Sequence, residues 1–113
     1  MAMSHQKTFE QTKVFTEMVA HKQGWALNPD STFYRNLVEG LTLNYNRYGY
    51  FLCPCRDTEG SREIDKPAIC PCVWSKVDIP EYGHCFCALY LSKEFAESMK
   101  EPRAIPDRRY ENK

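Results

Sequence analysis

Apolar side chains recur at three- and four-residue intervals in two segments of the N-terminal half, and this spacing predicts two amphipathic α-helices. The first spans residues 8–23 and ends before Gly24, which suits the left-handed backbone just past a helix end. The second is capped by Asp30 or Ser31 and runs to about Arg47. The first helix is predicted to have Val14, Phe15, Met18 and Val19 on one face, and the second carries Phe33, Tyr34, Leu37, Val38, Leu41 and Tyr45 at three- and four-residue steps.

Gly40 lies inside the second predicted helix, where glycine costs about 1 kcal/mol relative to alanine. A glycine in a helix is tolerated where it serves the packing of a neighbouring element. We therefore expect another part of the chain to approach this helix closely at Gly40.

The regular spacing of apolar residues is lost from Gly49 onward. Residues 57–66 are polar and predict a solvated loop, whereas residues 73–84 show no clear period. A third, short helix is predicted over residues 93–100, capped by Ser92 and with Phe95 and Met99 on its inner face. The tail that follows is predicted to be irregular, with its arginines in solvent.

These elements predict an all-α fold, a small single domain over residues 1–113 in which short helices pack around an irregular cysteine-bearing loop region. Residues 1–7 are expected to form a flexible N-terminus. Charge is balanced, with 15 Lys and Arg against 15 Asp and Glu, so nucleic acid or an anionic membrane is not expected as a partner. No apolar run approaches the ~20 residues that cross a bilayer. The first residues carry no apolar secretory core, so we predict a cytoplasmic protein.

All six cysteines fall between residues 53 and 87. Thiolates are soft metal ligands and good nucleophiles, so six of them in one third of the chain mark a functional site. In a reducing cytosol such a cluster is typical of metal binding or catalysis rather than of structural disulfides. The cysteines form three Cys-x-Cys pairs, Cys53-Pro54-Cys55, Cys70-Pro71-Cys72 and Cys85-Phe86-Cys87.

Four thiolates satisfy a tetrahedral zinc ion or an iron–sulfur cluster, and two cysteines are then left over. Structural zinc sites usually have wider gaps within each pair and no surplus cysteine, so a cluster beside a redox-active dithiol accounts better for the count. A zinc-binding structural or interaction module is the alternative, and an iron–sulfur electron carrier without dithiol chemistry is a third possibility. A disulfide within one pair would be strained, which favours a bond between different pairs. The spacing does not say which two cysteines form it.

The residues around these pairs resemble the catalytic chain of ferredoxin:thioredoxin reductase, and the resemblance covers roughly residues 8–109. Three ordered Cys-x-Cys pairs are a specific signal for that family. The matching segments are Tyr48-Gly49-Tyr50-Phe51-Leu52-Cys53-Pro54-Cys55-Arg56, Cys70-Pro71-Cys72, Cys85-Phe86-Cys87-Ala88-Leu89-Tyr90, and the tail Ile105-Pro106-Asp107-Arg108-Arg109.

This resemblance implies a [4Fe-4S] cluster beside a redox-active disulfide between Cys55 and Cys87. Cys55 would be the outer sulfur that attacks the disulfide of thioredoxin, and Cys87 would remain beside the cluster. The implied cluster ligands are Cys53, Cys70, Cys72 and Cys85. The implied donor is ferredoxin, or a rubredoxin-like protein, and the acceptor is thioredoxin or a thioredoxin-like protein.

Two departures from the photosynthetic members resemble the bacterial and archaeal branch, in which a small variable subunit is possible but not required. The spacer between the second and third pairs is longer, and Phe86 stands where those members have histidine. His84 lies just before the third pair, and whether it reaches the place of that histidine is left open. Arg56 follows the first pair and either lowers the pKa of a nearby thiolate or is an ordinary surface arginine. Trp74 is expected to pack in the core.

Overall fold

Helices make up just over half of the residues that the computed structural model describes, which are 6–56, 58, 60–106 and 108. This confirms the predicted helical fold class. Five α-helices are present in those ranges: α1 (Phe9–Gln23), α2 (Ser31–Tyr48), α3 (Arg62–Asp65), α4 (Ser75–Tyr82) and α5 (Lys93–Ser98). A 3₁₀ turn, Lys66–Ala68, follows α3.

The fold also contains a two-stranded antiparallel sheet that the periodicity did not predict. Strand β1 (Ala26–Leu27) follows α1, and β2 (Tyr90–Leu91) follows the third cysteine pair. Each strand has only two residues, which is too short to show the alternation of apolar and polar positions. The pairing fixes the third cysteine pair to the loop between α1 and α2.

The first two helices begin and end where the sequence predicts. The Thr8 hydroxyl accepts a hydrogen bond from the N–H of Gln11, whose side chain accepts from the N–H of Thr8, so the two residues form a capping box. Gly24 ends α1 with φ +76°. Asp30 caps α2 by accepting from the N–H of Phe33.

The predicted buried face of α1 is partly wrong, because Val14 and Met18 are 60% and 59% exposed. The fully buried positions are instead Thr12 and Thr16. The Thr42 hydroxyl donates to the Thr12 hydroxyl at 2.8 Å, and the hydroxyls of Thr16 and Tyr34 are 2.6 Å apart. Since these hydroxyls are hydrogen-bonded, threonine can replace apolar residues between α1 and α2 at little cost. Helix α1 is therefore rotated about its axis relative to the prediction, so that Thr12 and Thr16 face α2 and Val14 and Met18 face solvent.

Close packing at Gly40 is confirmed. A Cβ atom at this position would lie 2.9 Å from Cβ of Pro54, the residue between the first two cysteines. Helix α2 therefore supports the first cysteine pair directly through its backbone.

The region after Gly49 is more ordered than the sequence predicts. Helix α3 forms within the predicted loop, and its Asp65 is fully buried, accepting from the hydroxyls of Tyr50 and Thr58, each at 2.5 Å. Helix α4 forms where no period was visible. A single buried carboxylate or a helix of eight residues leaves little periodic signal in the sequence.

The C-terminal part differs from prediction at two residues. Met99 was assigned to the inner face of the last helix, but it follows that helix and is 89% exposed. Arg108 was assigned to solvent, but it forms ion pairs with Asp78 and Glu81 of α4, at 2.5 and 2.6 Å. The tail is thereby fastened to α4.

The predicted flexible N-terminus falls largely on residues 1–5, which lie outside the described residues. Lys7 is described, and its backbone N–H and C=O are both hydrogen-bonded to the Asn46 side chain of α2. In the described ranges, none of the helices combines the length and apolar character needed to traverse a bilayer.

Replacement of Gly40 by alanine tests the support that α2 gives to the first cysteine pair. Glycine to alanine inside a helix ordinarily stabilises by up to about 1 kcal/mol. Here the clash with Pro54 introduces overpacking of roughly 1–3 kcal/mol. We expect a net loss of about 1 kcal/mol, seen as a fall of roughly 3–6 °C in the thermal midpoint.

Asn36→Ala, at an exposed position of the same helix, is the matched control and should keep or raise the midpoint. A midpoint for Gly40→Ala above that of the unmodified chain would contradict the packing described here.

Candidate functional site

Backbone hydrogen bonds bring the first and second cysteine pairs side by side. The N–H of Cys53 donates to the carbonyl of Ala68 at 3.1 Å, and that of Cys70 donates to the carbonyl of Phe51 at 2.7 Å. These two bonds flank an antiparallel bridge between Leu52 and Ile69. Two segments that are far apart in the loop region therefore run as a short ladder, with a cysteine at the end of each.

The third pair joins them through β2. The N–H of Cys85 donates to the carbonyl of Tyr90 at 3.0 Å, and the N–H of Ala88 donates to the carbonyl of Cys85 at 2.9 Å. This tight turn places Ala88 at φ +63° and directs the third pair toward the other two. All three pairs thus meet at one place.

Five of the six cysteines line one small cavity. All five are buried, whereas Cys55 is exposed and does not contribute to the lining. Within the described residues, no three His, Cys, Asp or Glu side chains are placed to hold a single metal ion; the sulfurs surround a volume instead. The lining residues are Cys53, Cys70, Cys72, Ser75, Cys85, Phe86, Cys87 and Tyr90.

Hydrogen-bonding groups are directed at three of the buried sulfurs. The Ser75 hydroxyl lies 3.2 Å from Sγ of Cys72, and the Tyr90 hydroxyl lies 3.6 Å from Sγ of Cys70. The N–H of Tyr90 also donates to Sγ of Cys85 at 3.4 Å. Donors of this kind stabilise thiolates and tune the potential of the metal centres that thiolates hold.

Burial opposes ionisation of the cavity thiols. It is the main reason that the pKa values of Cys70 and Cys72 are raised, and the charges of neighbouring cysteines raise both further. Several thiolates at this site would repel one another at low dielectric. A cationic centre inside the cavity removes that cost, so this set of donors suits a metal cluster that carries positive charge.

Cys55 and Cys87 differ in how readily their thiols ionise. The pKa of Cys55 is lowered to about 4, because the side chains of Cys53 and Cys87 hydrogen-bond to it. The pKa of Cys87 is raised well above its usual value by its hydrogen bonds to Cys53, Cys55 and Cys85 and by burial. Sγ of Cys87 is also 3.9 Å from Sγ of Cys85. The exposed thiol of Cys55 therefore ionises more easily than the buried thiol of Cys87.

Arg56 is buried rather than on the surface, with only 7% of its surface exposed. Its guanidinium lies between two aromatic rings, 4.3 Å from the ring centre of Phe86 and 4.6 Å from that of Trp74. The Arg56 charge contributes to lowering the pKa of Cys55. Of the two alternatives for Arg56, the one that acts on a nearby thiolate therefore applies. Trp74 is half-buried and packs on this arginine as well as on the apolar cluster around Tyr50.

His84 does not face the dithiol. Its ring is 2% exposed, and Nε2 accepts a hydrogen bond from the N–H of Arg103 at 3.2 Å. Because Nε2 is an acceptor, the ring proton is on Nδ1, which donates to the carbonyl of Cys85 at 2.7 Å. Both nitrogens are used within the fold, and His84 holds the tail against the third cysteine pair.

All six predicted site cysteines are therefore brought together, while the groups around them were not foreseen. Ser75 lies three residues after Cys72, and serine side chains commonly hydrogen-bond to groups that few residues away. The sequence spacing alone could therefore have identified Ser75. The use of Tyr90 depends on the pairing of β1 with β2, for which the sequence gives no signal.

A small helical fold that encloses a sulfur-lined cavity, with one reactive thiol at its edge, defines a metal-centred thiol redox protein. Residues 2–111 match the model of the family described as the ferredoxin thioredoxin reductase catalytic beta chain, and the chain belongs to this family. The family carries a [4Fe-4S] cluster. The predicted family is thereby confirmed.

Individual relatives agree over most of their length. The chain is 33% identical over 103 residues to the ferredoxin-thioredoxin reductase catalytic chain of Pyropia yezoensis, covering 88% of this chain and 85% of that one. It is 31% identical to the same-named chain of Porphyra purpurea, over 88% and 84% of the two chains. For that of Guillardia theta the identity is 32%, over 87% and 96%. The predicted bacterial and archaeal branch stays a prediction.

Replacement of Ser75 by alanine tests the hydrogen bond to Cys72, a predicted cluster ligand. A hydroxyl donor stabilises the reduced, more negative form of a cluster, so its loss should make the cluster potential more negative. The expected shift is at most about 20–65 mV, the one-electron equivalent of roughly 0.5–1.5 kcal/mol. Redox titration followed by electron paramagnetic resonance measures it.

Ser98→Ala is the control, because it removes a hydroxyl that donates to the carbonyl of Phe95 and accepts from the N–H of Lys100, with no bond to a cysteine. Equal potentials for the Ser75 and Ser98 variants would show that the Ser75 hydroxyl does not act on the cluster.

Proposed function

We propose that this chain is an iron–sulfur disulfide reductase that takes single electrons from ferredoxin and reduces the disulfide of thioredoxin or a thioredoxin-like protein. One observation carries the proposal: Cys55 is exposed, whereas its neighbour Cys53 lines one cavity together with Cys70, Cys72, Cys85 and Cys87. A nucleophile that proteins can reach is thus joined to an enclosed metal site.

The proposed cluster ligands are the four cavity cysteines other than Cys87. Their burial keeps water from the site, and the donors at three of the sulfurs support thiolate character. When bound, the cluster supplies electrons one at a time, whereas reduction of a disulfide requires two. The proposed set is Cys53, Cys70, Cys72 and Cys85.

Cys55 and Cys87 are the proposed catalytic pair. The Cys55 thiolate attacks one sulfur of the thioredoxin disulfide, forming a mixed disulfide and releasing the other thioredoxin sulfur as a thiolate. The Cys87 thiolate then attacks Sγ of Cys55. Reduced thioredoxin leaves, and a disulfide between Cys55 and Cys87 is formed again. Burial protects the Cys87 thiol from oxidants in solution until it attacks Sγ of Cys55.

Partners and location follow from the same chemistry. Ferredoxin is the proposed donor, with a rubredoxin-like protein as the alternative, and a small variable subunit is possible but not required. A cytoplasmic location is proposed because the reducing cytosol keeps the ligand thiols available for metal.

A trapping experiment separates the two catalytic cysteines. In Cys87→Ser the attack by Cys55 proceeds but the mixed disulfide cannot be resolved, so a stoichiometric adduct with oxidised thioredoxin should accumulate on non-reducing gels. Cys55→Ser should form no adduct, because the remaining thiols are buried. Both variants should keep the iron and sulfide of the unmodified protein.

Cys70→Ser, which removes a proposed ligand, is the contrasting variant and should lose iron. An adduct in Cys55→Ser, or loss of iron from it, would contradict the assignment of Cys55. Anaerobic reconstitution that yields stoichiometric zinc and no iron would instead support the structural zinc module.

Replacement of His84 by glutamine tests whether this histidine manages protons at the dithiol. Because both ring nitrogens bond within the fold, we expect an unchanged pH profile of thioredoxin reduction between pH 6 and 8. Stability should fall by about 1–3 kcal/mol, as expected when buried hydrogen bonds are disrupted. Steady-state rates across pH and thermal unfolding measure the two effects.

His21→Gln, at an exposed position of α1, is the control. A displaced or missing pH limb in His84→Gln alone would show that His84 takes part in proton transfer.

A further inference from the structure

One stack of side chains connects all three cysteine pairs. Arg56 follows Cys55, Phe86 lies between the cysteines of the third pair, and Trp74 comes two residues after Cys72. The guanidinium of Arg56 lies between the two rings, within 4.6 Å of both centres. Each pair therefore contributes one member of the stack.

The stack has the features of a rigid contact. Arg56 is buried to 7% exposure, and desolvation strengthens the attraction between a cation and an aromatic face. The guanidinium is planar and can be covered on both faces at once, which a lysine ammonium cannot match. The backbone of Arg56 is fixed too, since its N–H donates to the carbonyl of Cys53 at 3.1 Å.

The residues immediately before and after Cys55 are both fixed by packing. Before it, Pro54 packs against Gly40 of α2 with no room for a Cβ atom between them. After it, Arg56 is stacked on Phe86, the residue that precedes Cys87. The thiols of Cys55 and Cys87 are consequently each next to a residue of the same stack.

We propose that Arg56 is a positioning residue, and that its stacking between Phe86 and Trp74 keeps the sulfurs of Cys55 and Cys87 close enough to form and re-form their disulfide. This deepens the proposed function and rests on it. The planar shape of the guanidinium is what matters, because it can stack on both rings at once, which a lysine ammonium cannot match.

The equilibrium with glutathione measures this closeness. As the Cys55–Cys87 disulfide opens to two thiols, two glutathione thiols become one glutathione disulfide, so atoms, electrons and protons balance. If the stack holds the sulfurs together, its loss reduces their effective concentration and disfavours the disulfide.

The experiment compares Arg56→Lys and Phe86→Leu with the unmodified holoprotein in glutathione buffers, quantifying the Cys55–Cys87 disulfide by alkylation and mass spectrometry. Both variants keep a cation at residue 56 but lose the stack. Each is expected to lower the equilibrium constant for disulfide formation about tenfold, which equals about 30 mV for this two-electron couple.

Phe86→Tyr keeps the aromatic ring and should have the same equilibrium constant as the unmodified protein. This control excludes the possibility that any substitution of residue 86 disrupts the disulfide. Arg47→Lys alters an exposed cation over the Tyr48 ring, away from the cysteines, and should also have no effect. Unchanged constants in both Arg56→Lys and Phe86→Leu would overturn the positioning role. Absence of a Cys55–Cys87 disulfide from the unmodified protein would overturn the proposed function instead.

Discussion

The repulsion between several buried sulfurs is the constraint on which this structure depends. Burial and the charges of neighbouring sulfurs make thiolates in the cavity costly, and the raised pKa values of Cys70 and Cys72 express that cost. Most of the irregular part of the fold serves to bring the sulfurs together in spite of it. Backbone bonds fix the first pair against the second, and the pairing of β1 with β2 fixes the third. The hydroxyls of Ser75 and Tyr90 complete the polar lining.

The same constraint explains how six chemically equal residues take two roles. Sulfurs enclosed in the cavity are suited to holding a metal cluster, while the single exposed sulfur is accessible to another protein. Cys87 takes part in both roles, since it lines the cavity and its side chain helps to lower the pKa of Cys55. The connection between metal and dithiol that the proposed reaction needs is therefore a single side chain.

Local rules account for what the sequence predicts well. The caps at Thr8 and Asp30, the end at Gly24 and the close approach at Gly40 depend on residues whose preferences are strong and short-range. The site cysteines were identified because their side-chain chemistry is distinctive and their grouping rare. Their division into ligands and catalytic pair came from the resemblance to a known family, not from their spacing.

What the sequence does not reveal depends on tertiary contacts. Buried Thr12 and Thr16 are read as polar surface until their partners across the helix pair are known. An arginine such as Arg56 is usually a surface residue, so the sequence gives no sign that it is buried. Its burial depends on the rings of Trp74 and Phe86, which come from distant segments. His84 is the opposite example, because a histidine beside a cysteine pair suggests a catalytic role. In the structure its Nε2 instead accepts a hydrogen bond from the N–H of Arg103 in the C-terminal tail.

Chemical mapping of the cysteines in anaerobically purified protein shows whether four of them hold metal while Cys55 and Cys87 form a disulfide. Iron and sulfide would be assayed on one portion, and on another the thiols would be alkylated before and after removal of the cluster. We expect a [4Fe-4S] cluster, one disulfide joining Cys55 to Cys87, and four thiols that react only once the metal is gone. A disulfide elsewhere, or metal protection of all six cysteines, would contradict this assignment of the cysteines.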